Sequence, residues 1–460
     1  MFINTLKRIN SLLHNEMTLY KHLSVLLFLT LLFEANKTQA QIYPEILTLK
    51  QEAQWIDSTL QLRFEQVIPL IMRRENVDLW IVTAREYNED PVIRTMLPAT
   101  WFAARRRTML VFWDNGTQVE RLAVSRYDIG TFFKKIWNPE ENPDQIGRLV
   151  DFIKEKNPKK IALNTSETFA QADGITKTEF DQIQMKLGKS YQNRIVSGEK
   201  LAVGWLETRI PAEVAMMQYL AGIGHSIIKN GFSGQVVEPG VTSTEDVQWW
   251  FREEIRRLGF GTWFHPSVSL QRAENPGKDG DFSSKPDSKI IQKGDLLHVD
   301  IGVTFARLNT DQQQHAYVLK DGESIAPEGL QKALKKGNRL QDILMSNFKV
   351  GLSGNQVLKN SIGQAIKEGL KPSIYTHPLG FYGHAAGPTI GMWDNQGDTK
   401  GAGDYPLFAN TGYSIELNVS VEIPEWKNKE IRIMLEEDAF FDGKSVRFYD
   451  GRQVEIILID

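Results

Sequence analysis

Residues 296–302 read LLHVDIG, a strand-like stretch in which one carboxylate, Asp300, stands among apolar side chains. Eleven residues later (311 − 300) a second carboxylate, Asp311, comes directly before another strand-like run that ends at Val318. Two adjacent strands joined by a short turn can bring two such side chains next to each other. Because a carboxylate in an otherwise buried strand is costly unless it meets a cation, the pair predicts a charged site on a sheet.

Two further carboxylates occur in the same kind of setting closer to the C-terminus. Residues 414–418, SIELN, alternate polar and apolar side chains and put Glu416 on one face of a predicted strand. Residues 434–438, MLEED, offer Glu436 in a similarly apolar strand. Any one of these acids alone is more often a solvated surface residue. Together, and without a matching run of Lys or Arg, the four indicate bound metal.

A segment with two histidines lies between these acids. Residues 376–387, THPLGFYGHAAG, place His377 and His384 seven positions apart (384 − 377) in a glycine-punctuated loop, where they are poor candidates for core residues. The chain has 8 histidines and no cysteine, so a metal site must be built from His, Asp and Glu. The histidine segment therefore completes a predicted metal centre.

In this order and spacing, the five residue types resemble the pita-bread metallopeptidases of family M24, which include methionine aminopeptidase, aminopeptidase P and prolidase, with creatinase as a metal-free relative. The resemblance covers about residues 205–445. It implies that the metal ligands are Asp300, Asp311, His377, Glu416 and Glu436. Glu437 is a register alternative for the last ligand. Glu436 is preferred because residues 435–438 align with the family's Ile-Glu-Asp-Asp, and the pleat turns Glu437 to the other face.

The chemistry implied is hydrolysis with two divalent ions, for which Mn²⁺ suits a site made mainly of carboxylates, with zinc or cobalt as alternatives. A water bridging such ions would lose a proton near neutral pH and attack the substrate. By resemblance, Glu416 would shuttle the proton to the leaving amine, and His384 would hydrogen-bond the substrate carbonyl or the oxyanion. The expected function is an Xaa-Pro aminopeptidase acting on peptides.

The alternatives are a prolidase-type dipeptidase, another amide hydrolase on the same metals, a metal-independent enzyme of the creatinase type, and a non-catalytic peptide-binding protein. The metal-independent and non-catalytic alternatives predict the loss of metal ligands, all of which are present in this sequence. Two departures from the proline-directed pattern support a different hydrolytic specificity on the same metals. Phe282 stands where those enzymes often have a histidine, which His265 would have to replace. Met434 stands where they often have an arginine, although Arg432 is on the same strand face. Pro378 and Phe381 are unusual as well.

The chain is predicted to be α/β (α+β), with an N-terminal creatinase-like α/β domain at 41–204 and a pita-bread catalytic domain at 205–460. In the first half, helical spacing at 51–75 precedes strand-like runs at 77–82, 109–113, 119–124 and 160–163, which indicates a mixed sheet. In the second, Pro211 opens a helix to residue 230, a capping box at 242–245 starts another, and two more are expected at 330–348 and 355–369.

The net charge and the N-terminal segment indicate which partners the protein binds and where it is located. A net charge of −3 over 460 residues gives no electrostatic case for binding nucleic acid. Basic residues followed by an apolar run at 23–33 and by small residues at Thr38 and Ala40 predict a signal peptide over 1–40, with Met17 as an alternative start. We therefore expect a secreted or periplasmic protein without a stable membrane span after cleavage. The resemblance also suggests a homodimer.

Overall fold

A computed structural model describes residues 43–274 and 288–460. The predicted signal peptide at 1–40 and the departure at Phe282 lie outside these residues. Among the helices that the structure describes, none combines the length and the apolarity that a membrane crossing requires.

The first half consists of one sheet with helices on both faces. Its elements are α1 (Leu49–Arg74), β1 (Leu79–Arg85), α2 (Pro91–Arg94), β2 (Arg107–Asp114), β3 (Val119–Val124), β4 (Lys134–Lys135), α3 (Gln145–Lys156), β5 (Ile161–Leu163), α4 (Lys177–Leu187), α5 (Lys189–Gln192), β6 (Ile195–Ser197) and α6 (Glu199–Glu207), with a 3₁₀ turn at Ala170–Ala172. Helix α1 begins where Thr48 and Gln51 form a reciprocal capping box that satisfies free backbone N–H groups.

The six strands of this sheet lie in the order β4-β3-β2-β1-β5-β6. Strand β1 pairs antiparallel with β2 and parallel with β5, which confirms the mixed sheet expected from the sequence. Side chains of β1 alternate between the two faces: Trp80 packs in the core beneath α1 and α6, and Ile81 packs in the core beneath α3 and α4. Both faces are therefore covered.

The second half is built from four small sheets, one of them only two-stranded, with helices packed against them. Its elements are α7 (Pro211–Gly231), α8 (Thr244–Arg257), β7 (Ser267–Gln271), β8 (Leu296–Ile301), β9 (Thr304–Phe305), β10 (Leu308–Asn309), β11 (Gln312–Val318), α9 (Glu328–Ser346), α10 (Gly354–Lys367), β12 (Pro372–Ile374), β13 (His377–Pro378), β14 (Thr411–Ser414), β15 (Leu417–Ile423), β16 (Lys429–Leu435), β17 (Asp438–Phe441), β18 (Val446–Phe448) and β19 (Ile457–Ile459), with 3₁₀ turns at Ala402–Asp404 and Pro424–Trp426.

Three of these sheets contribute residues to the site. Their strands lie in the orders β19-β11-β8-β7, β12-β15-β16 and β13-β14-β17-β18. Strands β8 and β11 are antiparallel neighbours, as the sequence predicted, with Asp300 opposite Gln313. Helices α9 and α10 cover β15 and β16 with a continuous apolar core. Close packing of α9 is possible because Gly337 leaves space that Leu435 fills; a Cβ there would meet the Leu435 side chain at 2.8 Å.

Two local predictions need correction. The helix after residue 240 is capped by Ser243 and Asp246, one residue later than the predicted Thr242 and Glu245, because Ser243 has the extended backbone that a capping residue needs. The predicted continuous strands through Glu416 and Glu436 are each interrupted at the glutamate, so that β14 is followed by β15 and β16 by β17. The chain leaves one sheet and enters another at these points.

Candidate metal centre

Asp300 and Asp311 are brought together by the β8–β11 pair. Asp300 lies one residue before the end of β8, and Asp311 immediately precedes β11. The backbone N–H of Asp311 donates to Asp438 Oδ1 at 3.0 Å, which fixes the start of β11 against β17. Asp311 is buried, and Asp300 is only partly accessible. The pairing of these acids therefore follows from local strand geometry, as expected.

Glu416 and Glu436 face each other because the two strand interruptions are in register. Ser414 pairs with Asp438 on one side of the break, and Leu417 pairs with Leu435 on the other. Within the break, Glu436 forms an isolated bridge to Gln313 on β11. The β11 strand therefore runs beside both glutamates and joins their sheets to the one that carries Asp300.

His377 directs one ring nitrogen into this group of carboxylates. Its Nδ1 donates to the carbonyl of Pro378 at 3.0 Å, so Nε2 is the nitrogen with a lone pair. Nε2 lies 3.7 Å from Asp311 Oδ2, 3.9 Å from Glu416 Oε2 and 3.6 Å from Glu436 Oε1. These separations are too long for hydrogen bonds. The arrangement leaves room for a cation between this nitrogen and the three carboxylate oxygens.

His384 lies at the solvent side of the cluster. Its ring centroid is 4.6 Å from that of His377 and 5.0 Å from that of Trp263, both edge-on. Burial, followed by the neighbouring His377, lowers the pKa of His384 to about 4, so the ring is neutral at neutral pH. It is accessible to solvent, and it offers a ring nitrogen within 4.8 Å of candidate ligand atoms of Asp311 and His377.

The first half holds the loop that carries these histidines. Gln171 donates to the carbonyl of His384 at 2.8 Å, and the Tyr382 hydroxyl donates to the carbonyl of Pro91 at 2.9 Å. The Phe381 ring centroid lies 4.8 Å from the guanidinium carbon of Arg63, in the first half, and 4.6 Å from that of Arg209, in the second half. These contacts make the first half a support for the loop that carries His384.

The carboxylates repel one another in the absence of cations. Burial, followed by the charge of Glu436, raises the pKa of Asp300, Asp311 and Glu416 well above their usual range. Within residues 43–274 and 288–460, no lysine or arginine forms an ion pair with any of the three. Such a concentration of negative charge requires either protons or cations to be stable.

The donor set fits divalent cations. Candidate ligand atoms fall into three overlapping groups, each with all atoms within 4.8 Å of one another: Asp300, Asp311 and Glu436; His377, Glu416 and Glu436; Asp311, His377 and His384. Asp300 Oδ1 and His377 Nε2 are buried and have no hydrogen-bond partner among the described residues. Buried polar atoms without partners are rare, and here they point into a cluster of oxygen and nitrogen donors suited to metal.

Glu437 lies outside the cluster. Its Oε2 is 2.6 Å from His225 Nε2, and its Oε1 accepts from the Gln314 side chain at 2.9 Å and from the backbone of Gln453 at 3.0 Å. Glu437 is thus on the opposite side of the chain from Glu436, as the pleat argument predicted. The structure brings Glu436 rather than Glu437 to the other acids.

The residues considered for substrate specificity are placed as follows. Met434 lies in β16 opposite Asn418, and its backbone N–H donates to His315 Nε2 at 3.0 Å. Arg432 lies on the same strand, two residues earlier. His265 contacts Arg252, and its ring packs at a tilt of 56° against Trp249. His265 belongs to none of the metal-capable groups found among the described residues, so nothing in its contacts supports a replacement role.

Two neighbours of the cluster were not anticipated from the sequence. Gln313 donates from its side-chain nitrogen to Glu416 Oε1 at 2.9 Å and to Glu436 Oε2 at 2.5 Å. Trp263 packs against His384 and donates to the carbonyl of Thr310 at 3.0 Å. The sequence did carry a signal for Gln313, because it lies two residues after Asp311 and so shares its strand face.

The sequence model of metallopeptidase family M24 matches residues 215–452, more than half of the 460-residue chain. The chain belongs to metallopeptidase family M24. The matched range contains all five predicted ligands and His384. No curated protein sequence gives a significant match.

Solved structures of this family share the fold. An X-Pro aminopeptidase from Thermotoga maritima MSB8 is 16% identical, with a TM-score of 0.59 over 84% of this chain and 99% of that one. An Xaa-Pro dipeptidase from Bacillus anthracis is 13% identical, with a TM-score of 0.55 over 89% and 100%. A variant of Escherichia coli aminopeptidase P is 14% identical, with a TM-score of 0.55 over 88% and 96%. At these identities the likeness concerns the fold, and it confirms the expected α/β pita-bread architecture.

Proposed function

We propose that this M24 metallopeptidase is a dinuclear exopeptidase, an Xaa-Pro aminopeptidase that hydrolyses the N-terminal peptide bond before proline. The observation that carries the proposal is the convergence of three carboxylates, those of Asp311, Glu416 and Glu436, on Nε2 of His377. Asp300 lies beside Asp311 and Glu436 in the same cluster. We propose Asp300, Asp311, His377, Glu416 and Glu436 as the ligands of two divalent cations, with Mn²⁺ as the first candidate because most donors are carboxylate oxygens. Divalent cations bound there would acidify water and polarise a scissile carbonyl.

Among the acids, Glu416 is the one suited to moving a proton. Its side chain is 16% exposed, against 4% for Asp311 and 2% for Glu436, so it is the one of these three that substrate and solvent can reach. Burial and the charge of Glu436 favour its protonated form. We therefore assign Glu416 the transfer of a proton from the attacking water to the leaving amine.

His384 supports the same reaction from the solvent side. Its neutral ring can donate a hydrogen bond to a carbonyl oxygen that gains negative charge, without adding a positive charge next to the ligands. We assign it this role because it is the accessible histidine beside His377. The loss of activity on replacing His384 should therefore exceed any loss of metal binding.

The preference for proline rests on analogy with the family and is the first point to test. Purified protein loaded with Mn²⁺ is given an Xaa-Pro-Yaa tripeptide, the matching Xaa-Pro dipeptide, and a tripeptide with alanine in place of proline. Release of the first residue from the proline tripeptide alone supports the aminopeptidase. Cleavage confined to the dipeptide would indicate the prolidase-type alternative. A metal-loaded protein that cleaves none of the three would remove the proline preference and favour a different amide substrate, which the departure at Met434 would accommodate.

Two further proposals concern the cellular setting. We propose export to the periplasm or outside the cell after removal of residues 1–40, which N-terminal sequencing of the mature protein would test through a start at Gln41. We also propose a homodimer, by analogy with the family. Light scattering should then give about twice the mass of a single mature chain, and a monomeric mass at micromolar concentration would contradict it.

A further inference from the structure

A single buried amide links two of the proposed ligands. Gln313 is 3% exposed, and its side-chain nitrogen donates to Glu416 Oε1 and to Glu436 Oε2. The backbones of Gln313 and Glu436 also exchange hydrogen bonds, with N–O distances of 2.9 Å and 3.3 Å. Both hydrogens of the amide nitrogen are therefore used on carboxylates that would otherwise repel each other.

Each bond engages the carboxylate oxygen that is turned away from His377. The other oxygens, Glu416 Oε2 and Glu436 Oε1, are those that lie 3.9 Å and 3.6 Å from His377 Nε2. The amide therefore binds the oxygen of each glutamate that faces away from the donor cluster. The second oxygen of each glutamate remains directed into the cluster. With no hydrogen-bond donor at position 313, Glu416 would lose the bond to its Oε1, and Glu436 would keep the bond that its Oε1 accepts from the Ser414 hydroxyl.

The orientation of the amide is fixed in turn by His298. Because both amide hydrogens of Gln313 are engaged, its Oε1 must accept, and His298 Nε2 lies 2.9 Å from it. His298 therefore carries its proton on Nε2, and its Nδ1 accepts from the Ser269 hydroxyl at 3.4 Å. Ser269 on β7, His298 on β8 and Gln313 on β11 therefore form a hydrogen-bonded chain that ends at the two glutamates.

We propose that Gln313, oriented by His298, is a positioning residue that sets the affinity of this site for divalent cations. The inference rests on the proposed metal site and adds a residue that acts through Glu416 and Glu436 without itself binding metal. Hydrogen-bond partners of metal ligands typically change metal affinity 10- to 100-fold when they are removed.

The neighbouring residue Gln314 provides a matched control. It is also buried on β11, and its side chain also donates to a glutamate, Glu437, at 2.9 Å. Glu437 lies outside the donor cluster, on the opposite face of the chain. Replacing either glutamine by methionine keeps the volume and removes one amide beside a glutamate, but only one of the two changes touches the proposed ligands.

The test is calorimetric titration of the metal-free full-length mature protein with Mn²⁺ alone. For Gln313→Met we expect a Kd that is about 10- to 100-fold higher than in the wild type, and for Gln314→Met a Kd within about 3-fold of it. His298→Phe, which touches neither glutamate, should raise the Kd in the same direction by a smaller factor. Peptidase activity of Gln313→Met should recover as Mn²⁺ is raised above its new Kd, which a folding defect would not allow.

The outcomes separate the two proposals. Equal affinities in the wild type, Gln313→Met and His298→Phe would overturn the positioning role and leave the metal site intact. A similar loss in Gln313→Met and Gln314→Met would also overturn it, because the effect would then be general to the strand. A wild-type protein that binds no divalent cation would contradict the metal site itself, and the role of Gln313 with it.

Discussion

The buried carboxyl of Glu207 gives a prediction about stability that is independent of the metal. Glu207 ends α6, is 1% exposed, and neither of its oxygens has a hydrogen-bond partner among the described residues. Burial raises its pKa from 4.5 to about 8, against the opposing charges of Arg74 and Arg209. The folded protein therefore keeps this carboxyl protonated at a pH where the unfolded chain has released the proton.

The sign and the size of the effect follow from that difference. Because the folded state binds one proton more than the unfolded state between these two pKa values, its stability falls as pH rises from about 4.5 through about 8. The slope from this one group is about 1.4 kcal/mol per pH unit, or about 4 kcal/mol from pH 5 to pH 8. Glu207→Gln keeps the shape of the neutral acid and removes the titration.

The assay is urea unfolding of the wild type and Glu207→Gln from pH 5 to pH 9, compared at each pH. The two proteins should be nearly equal in stability at pH 5, and the variant should be the more stable by several kcal/mol at pH 8 and above. Titration of the carboxylates at the metal site changes the stability of both proteins equally, so it cancels in the difference between their free energies of unfolding. If the stability difference between the two proteins does not vary with pH, or if the wild type is the more stable at pH 8, the pKa of Glu207 is not raised in the folded protein.

Three further predictions address the site and its support. Asp311→Ala should abolish peptidase activity and reduce bound metal while circular dichroism stays unchanged, and wild-type turnover in this variant would exclude Asp311 as a ligand. Trp263→Ala removes the ring beside His384 and should lower kcat by about 10- to 100-fold with a smaller change in KM. Trp249→Ala removes a tryptophan of the same half that packs against His265 instead, and it serves as the control. Arg63→Met should cost about 3–5 kcal/mol of stability in urea unfolding because it breaks a buried ion pair, and a loss below 1 kcal/mol would contradict that.

The parts of the site that could be predicted are those that depend on local geometry. Asp300 and Asp311 lie on neighbouring strands joined by a short connection, so that their proximity follows from the pairing of adjacent strands. The choice of Glu436 over Glu437 follows from the two-residue period of an extended chain. The histidine segment was recognisable because its composition does not suit a core.

Other features depend on contacts between distant parts of the chain. The interruptions at Glu416 and Glu436 arise where the backbone passes from one sheet to another, and alternation along a single segment carries no sign of that change. The bond from Gln171 to the loop of His384 joins residues more than two hundred positions apart. A contact of this kind cannot be predicted from either segment alone.

The two unanticipated neighbours of the site were missed for chemical reasons. Gln313 is uncharged and is not a usual metal ligand. The three consecutive glutamines that begin β11 are all buried, which requires polar partners for them nearby. A tryptophan such as Trp263 is most simply explained as a core residue. Its role becomes visible only with Gly302 and Gly383, where a Cβ would lie 2.3 Å and 2.1 Å from the indole ring.

The central claim is that Asp300, Asp311, His377, Glu416 and Glu436 together hold two divalent cations. Elemental analysis of the purified full-length mature protein, after incubation with Mn²⁺ and removal of unbound ions, tests it most directly. We expect two metal ions per chain in the wild type and fewer in Asp311→Ala at unchanged secondary structure. A wild-type protein that retains no divalent metal, or an Asp311→Ala variant that retains two, would contradict it.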